Sequence, residues 1–218
     1  MFAEISIKQI NFIIACIFFL CYAYQFIYIP ISWRGRRAEH KPPRLHRFAV
    51  LIAARNEESV ISELIDSIQA QDYTGDIDIC VVADNCSDGT AKIARRHGAR
   101  VFERFDTTHI GKGYALDYLL SHIRRDDYDA FLVLDADNVI APDYIRHMNQ
   151  TLSDGYNIAT SYRNSKNYGD NWISAGYALW FLRESRYLNG ARYAINSSCA
   201  VSGTGFAFTR KVLERIGS

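Results

Sequence analysis

With 218 residues, 49% of them hydrophobic and 22% charged, the chain has a globular composition and enough length to bury a sizeable core. Its 25 Lys and Arg against 24 Asp and Glu leave a net charge of +1, which excludes the sequence-wide basic field used in non-specific nucleic-acid binding and equally an acidic tail. Five cysteines, Cys16, Cys21, Cys80, Cys86 and Cys199, form no C-x-x-C pair, which argues against a zinc site or a disulfide framework and for a reducing surrounding.

After a short tail, residues 1–9, the run INFIIACIFFLCYAYQFIYIPIS from Ile10 to Ser32 carries no charge between Lys8 and Arg34. At about 1.5 Å per residue it is long enough to cross a bilayer core of roughly 30 Å, so residues 10–33 are expected to form a transmembrane helix. A cleaved signal peptide is the rival reading, opposed by the barely positive start, the long apolar stretch and the lack of a small-x-small site. Arg34, Arg36, Arg37, Lys41, Arg44 and Arg47 follow the run, against Lys8 alone before it. This asymmetry predicts a cell-membrane protein with its N-terminus outside and its soluble part in the cytoplasm. Residues 34–47, with Pro42-Pro43, read as a basic juxtamembrane linker to a domain over residues 48–218.

Within that domain a strand over Ala49–Ala54 precedes a helix with Val60, Ile61, Leu64, Ile65 and Ile68 on one face. A strand over Ile77–Val82, a helix ending at Gly98, a short strand near Arg100–Phe102 and a helix from about Tyr114 to Ile123 come next. Then follow a strand over Ala130–Leu134, a helix opened by Pro142 and an extended piece over Asn157–Tyr162. Strands with continuous apolar residues are buried on both faces, so this alternation predicts an α/β domain whose mostly parallel central sheet has helices on both faces. The stretch NWISAGYALWFLRESRYLNGARYAINSS reads as an ordinary core helix with a solvated basic side, and its aromatic and Arg residues make an interfacial membrane helix the alternative. His97, His109, His122 and His147 have no ligand spacing.

In open sheets of this kind ligands bind beyond the carboxyl ends of the strands. Polar clusters stand there: Arg55-Asn56-Glu57-Glu58, Asp84-Asn85-Cys86-Ser87-Asp88-Gly89 and Asp135-Ala136-Asp137-Asn138. Any one of them fits turn chemistry and helix capping, but three at successive strand ends fit a site better. Asp135 and Asp137, one residue apart at a strand end, repel each other unless a cation joins them. A hard ion, Mg²⁺ or Mn²⁺, with substrate phosphates and water completing its shell, is the expected partner, and it implies a diphosphate substrate. An EF-hand is excluded, because Val139 and Ile140 occupy positions that a calcium loop reserves for Asp or Asn and for Gly. Gly111-Lys112-Gly113 lacks the spacing of a Walker loop, and Gly203-Thr204-Gly205 is followed by Ala207 and Phe208 where a dinucleotide fingerprint needs a small residue.

LIAARNEESVI, VVADNCSDGT, GKGYALDYLL, the D-x-D of FLVLDADN and the late SGTGFAFTRKVLERIG, in this order, span about residues 48–217. On these motifs the chain resembles the family 2 inverting glycosyltransferases of GT-A fold, nearest to membrane-bound polysaccharide synthases of the cellulose, hyaluronan and poly-N-acetylglucosamine type. The resemblance implies sugar transfer with inversion from a nucleotide-sugar donor, by its pattern a UDP-sugar, to a glycan or lipid-linked acceptor, with membrane lipid as a further partner and no nucleic acid. It places Arg55 and Glu57 near the nucleotide, Asp84 on the base, Lys112 by the nucleotide or its phosphates, Asp135 by the ribose or the metal, and Asp137 on the metal. Ser202, Gly203, Thr204 and Gly205 would form the acceptor-side loop. Ala83 departs from the family's Asp-Asp pair. The family's catalytic Asp, in a T/E-D motif, and the Q-x-x-R-W of processive members do not occur before Ser218, so the chain reads as an N-terminal fragment with its base beyond that residue. A degenerate fold serving as a nucleotide-sugar-binding or scaffold protein is the alternative, opposed by the intact Asp84, Asp135 and Asp137. A nucleotidyltransferase would need a glycine-rich phosphate loop that LIAARNEES lacks.

Overall fold

A computed structural model describes residues 6–35, 40–124 and 126–216. Arg36 and Arg37, on which the expected orientation partly rests, lie outside the described residues. The chain divides into two compact units, Met1–Ala38 with Tyr162–Ala200, and Glu39–Ser161 with Val201–Ser218.

The larger unit is built on β1 (Phe48–Ala54), β2 (Ile77–Asp84), β3 (Arg100–Arg104), β4 (Ala130–Asp135), β5 (Ile158–Thr160) and β6 (Phe206–Thr209), paired in the order β3-β2-β1-β4-β6-β5. The first four strands in that order run parallel, while β6 is antiparallel to both β4 and β5. Successive side chains of a strand point to opposite faces, and β1 is buried on both. Phe48, Val50, Ile52 and Ala54 enter one core layer with Ile61, Leu64, Ile65 and Ile68 of α2 (Ile61–Gln69) and with Ile145, Met148 and Leu152 of α5 (Tyr144–Ser153). Ala49 and Leu51 enter the other, with Cys80, Val82, Phe131 and Val133 and with Ala115, Leu119 and Ile123 of α4 (Lys112–Ile123). Helices therefore cover both faces, as the apolar strands required. α3 (Thr90–Arg96) joins β2 to β3, and α8 (Arg210–Ile216) follows β6.

Two elements of this unit differ from the sequence reading. α4 begins two residues before Tyr114, because Gly111 adopts a φ of 137° that lets Lys112 open the helix. The motif around Phe206 forms a strand, β6, that the apolar pattern alone did not mark. Phe206 and Phe208 alternate onto the second core layer, where Phe208 stacks on Phe131 at 5.3 Å between ring centroids. Residues 40–47, read as linker, dock on this unit. His40 Nδ1 and the Lys41 amide meet Asp154 at 2.9 Å each, Arg44 pairs with Asp129, and Arg47 Nη2 reaches Asp78 at 3.0 Å.

The smaller unit holds α1 (Ile7–Arg34), α6 (Trp172–Leu182), a π-helical segment (Arg183–Asn189) and α7 (Gly190–Ala194). α1 is the one helix among the described residues long and apolar enough to cross a membrane by length and composition, and none of its apolar window is buried. Expecting an ordinary core helix over α6 was wrong. Ser174 is its single buried residue, and the aromatic side chains of Trp172, Tyr177 and Trp180 are exposed. The run is apolar nearly all round, so its periodicity carried no information about which side would be covered.

Candidate functional site

The polar clusters gather at the carboxyl ends of β1, β2 and β4. After β1 the chain turns through Asn56, whose φ of 57° Asn tolerates, and the Asn56 side-chain oxygen accepts from the Ser87 amide at 2.8 Å. The Thr90 hydroxyl, fully buried, accepts from the Glu57 amide at 2.8 Å and donates to Asp88 at 2.5 Å. Glu58 in turn accepts from the Gly89 amide at 2.7 Å. The Asp88-Gly89-Thr90 sequence thus ties the loop after β2 to the loop after β1, holding Arg55, which is exposed, and Glu57 at the sheet edge. Hydrogen bonds led by that of Thr90 hold the Asp88 carboxyl below its usual range.

Asp84 ends β2 with only 5% of its surface exposed. Its Oδ1 accepts from Arg104 Nη1 at 2.6 Å and from the Asn85 amide group at 3.2 Å. Arg104, equally buried, stands directly opposite in the parallel register of β2 and β3. Its second nitrogen donates to Asp106 Oδ2 at 2.9 Å and to the His109 carbonyl at 2.7 Å. Sequence reasoning missed Arg104. The available signal was a charge at the end of a short strand, which becomes informative once its neighbour in the sheet is known.

Asp106 organises the loop that leads to α4, accepting from the amides of Thr108 at 2.8 Å and His109 at 3.0 Å. Those amides, with His109 foremost, lower its pKa to about 2. The unfolded chain takes up this proton near pH 3.9, while the folded loop resists it until about 2, so the stabilisation is complete above about pH 4 and disappears as pH falls to about 2. The protection of the Thr108 and His109 amides, taken relative to their intrinsic exchange rates, is expected to fall over that window in the native protein and to be low at every pH in Asp106→Ala. Protection that stays constant between pH 4 and 2 would disprove the assignment.

At the end of β4 the Asp135 amide donates to the Thr204 hydroxyl at 2.9 Å and to Asn138 Oδ1 at 3.2 Å, and Thr204 donates to the same Asn138 oxygen at 2.6 Å. Gly205, at a φ of 70°, donates its amide to the Val133 carbonyl at 2.9 Å. The loop before β6 is thereby fastened to the D-x-D turn, and Asn138 and Thr204 are the residues that position it. Lys112 Nζ, at the first position of α4, pairs with Asp135 Oδ1 and donates to the Gly203 carbonyl at 2.6 Å. Lys112, Asp135, Gly203 and Thr204 are in this way brought into one contact network. Asp137 is exposed beside it, with Asn138 Nδ2 at 3.2 Å. Burial, and then the charges of Asp137, Asp88 and Asp135, push the Glu57 carboxyl above its ordinary range, so the three strand-end loops share one acidic field. Among the described residues no group of three or more His, Cys, Asp and Glu side chains is gathered as a metal site.

A four-stranded parallel sheet core, an antiparallel pair at one edge, and acidic and basic side chains meeting at its carboxyl edge define a glycosyltransferase domain of GT-A type. The chain belongs to the glycosyltransferase-like family 2, whose family model matches residues 43–218. It is 28% identical over 127 residues to an N-acetylglucosaminyltransferase of Rhizobium leguminosarum bv. viciae, a match that covers 57% of this chain and 30% of that protein. Over 65 residues it is 42% identical to a 4,4'-diaponeurosporenoate glycosyltransferase of Staphylococcus aureus, covering 30% of this chain and 16% of the relative. The matches therefore span less than a third of either relative's length. Among solved structures the fold is shared with a mannosyltransferase of Pyrobaculum calidifontis in complex with GDP-Man and Mn²⁺, at a TM-score of 0.69 and 21% identity over 94% of this chain and 57% of that one. It is also shared with glucosyl-3-phosphoglycerate synthase of Mycobacterium tuberculosis in complex with UDP, at a TM-score of 0.51 and 20% identity over 80% and 64% of the two chains.

Proposed function

We propose that this chain binds a nucleoside diphosphate sugar, by family pattern a UDP-sugar, and serves its transfer with inversion to a glycan or lipid-linked acceptor. The observation that carries the reading is the network of Lys112, Asp135, Gly203 and Thr204 beside Asp137 at the sheet's carboxyl edge, in a domain of family 2. Asp84 receives the base through an N–H, since a buried carboxylate already oriented by Arg104 is a fixed acceptor. Lys112 supplies positive charge to the nucleotide and its phosphates, with Arg55 and Glu57 lining the same edge. Ser202, Gly203, Thr204 and Gly205 form the acceptor side, where small residues allow a sugar to approach the backbone.

Two carboxylates one residue apart suit Mg²⁺ or Mn²⁺, which need few protein ligands when substrate phosphates share the shell. Asp135 and Asp137 would hold the ion, and when bound it would offset charge on the departing diphosphate. The relatives' bound ligands, GDP-Man with Mn²⁺ in one and UDP in another, support this donor class.

We further propose that residues 10–33 span the cell membrane, with residues 1–9 outside and the domain over residues 48–218 in the cytoplasm. The excess of Lys and Arg over residues 34–47 supports this orientation. The test is calorimetry of the purified chain with UDP-glucose, UDP-N-acetylglucosamine and GDP-mannose in Mn²⁺, together with a reporter fused to its C-terminus. Saturable binding of one of these donors and reporter activity confined to the cytoplasm are expected. Binding of none of them overturns the functional reading, and reporter activity on the outer side overturns the topology.

A further inference from the structure

Five large apolar side chains of α6 stand open: Trp172 is 83% exposed, Ile173 53%, Tyr177 61%, Leu179 66% and Trp180 57%. At 3.6 residues per turn they occupy a single face of about 160°, while Ser174, on the other side, is buried. Monomeric soluble proteins rarely leave such a contiguous patch uncovered.

Within the same unit α6 and the segment after it are tied to α1. α1 carries one amide-bearing side chain in the second half of its apolar run, Gln25, and Arg183 at the end of α6 donates to the Gln25 side-chain oxygen. The Arg183 guanidinium also lies over the Trp180 ring, 5.0 Å from its centroid. A Cβ added to Gly190, which opens α7, would lie 3.8 Å from Ser32 Cβ, so the backbone of α7 approaches α1 closely. Residues 162–200 also hold five basic residues, Arg163, Lys166, Arg183, Arg186 and Arg192, against two acidic ones, Asp170 and Glu184.

We propose that the Trp172–Trp180 face of α6 lies in the headgroup and upper acyl region of an anionic bilayer, as a second membrane contact beside α1. The inference rests on the reading of α1 as a membrane span. Trp and Tyr rings with an apolar body and a polar edge suit that depth, and the basic excess suits anionic headgroups. The Arg183 to Gln25 bond gives the polar group within α1 a partner, and it fastens α6 to the segment that enters the lipid.

The chain has three tryptophans, Trp33, Trp172 and Trp180, which makes the proposal directly measurable. The full chain with Trp33→Phe is reconstituted in phosphatidylcholine and phosphatidylglycerol vesicles whose acyl chains are partly brominated. Emission from Trp172 and Trp180 is expected to shift to shorter wavelength and to be quenched by the brominated lipid, with little quenching by aqueous acrylamide. The companion Trp172→Phe/Trp180→Phe reports on Trp33 in the last turn of α1. If Trp33 is quenched by brominated lipid while Trp172 and Trp180 respond only to acrylamide, α6 does not touch the bilayer and the proposal is overturned. Quenching of Trp172 and Trp180 by an added oligosaccharide with no effect of brominated lipid overturns it in favour of a sugar-binding face. If neither variant responds to brominated lipid, the spanning role of α1 fails first and the proposal with it.

Discussion

Asp137→Ala is expected to abolish the divalent-ion dependence of nucleoside diphosphate sugar binding and to lower any transfer by about 10²–10³-fold. The Asp137 carboxylate is exposed beside Asp135, whose Oδ1 is engaged by Lys112. It is therefore the side chain in the D-x-D turn most open to a cation shared with phosphate. Removing it leaves Asp135 paired with Lys112 and the fold intact, because no core contact involves Asp137. Calorimetry of native and variant chains, each with Mn²⁺ and with chelator, separates the outcomes. The native chain should bind more tightly with the ion and the variant equally weakly with and without it. Equal affinity of the native chain in both conditions removes the metal from the site.

Arg104→Met is expected to destabilise the protein by about 3–5 kcal/mol, since it leaves the carboxylate of Asp84 buried without its counterion. Asp84→Asn alone should also be harmful, because Arg104 then retains only Asp106 as a charged partner. The combined Arg104→Met/Asp84→Asn variant should recover much of the loss, as a buried pair replaced on both sides costs less than one broken on a single side. Chemical denaturation of the four proteins measures the coupling. Additive losses would show that the two residues do not act as a pair. The same pair bears on the proposed base contact. A donor affinity that falls in Arg104→Lys at unchanged stability would mark Arg104 as the residue that orients Asp84.

Much of the fold was legible in the residues themselves. β1 (Phe48–Ala54), residues 79–83 of β2 and residues 130–134 of β4 are continuous apolar runs because both of their faces are covered, and this property marked them as central parallel strands. The polar turns that follow them had to lie at one edge, since parallel strands share a direction. The D-x-D pattern was read directly, because the two carboxylates are sequence neighbours and their repulsion is local. β6 was not legible in the same way. Four residues do not establish a period, and FAFT becomes a strand through its pairing with β4 and β5.

Composition and local pattern, then, determined the layered α/β architecture, the apolar N-terminal helix and the acidic strand ends, because each of these is set by interactions within a few residues of the chain. The tertiary structure alone decided which charges meet. Arg104 faces Asp84 through the register of β2 and β3, and Lys112 joins Asp135 to Gly203 through the packing of α4 beside the loop before β6. It alone decided that α6 exposes its aromatic face, since burial depends on what another segment covers. A hydrogen bond or a buried surface requires two partners in space, and a sequence pattern states only one of them.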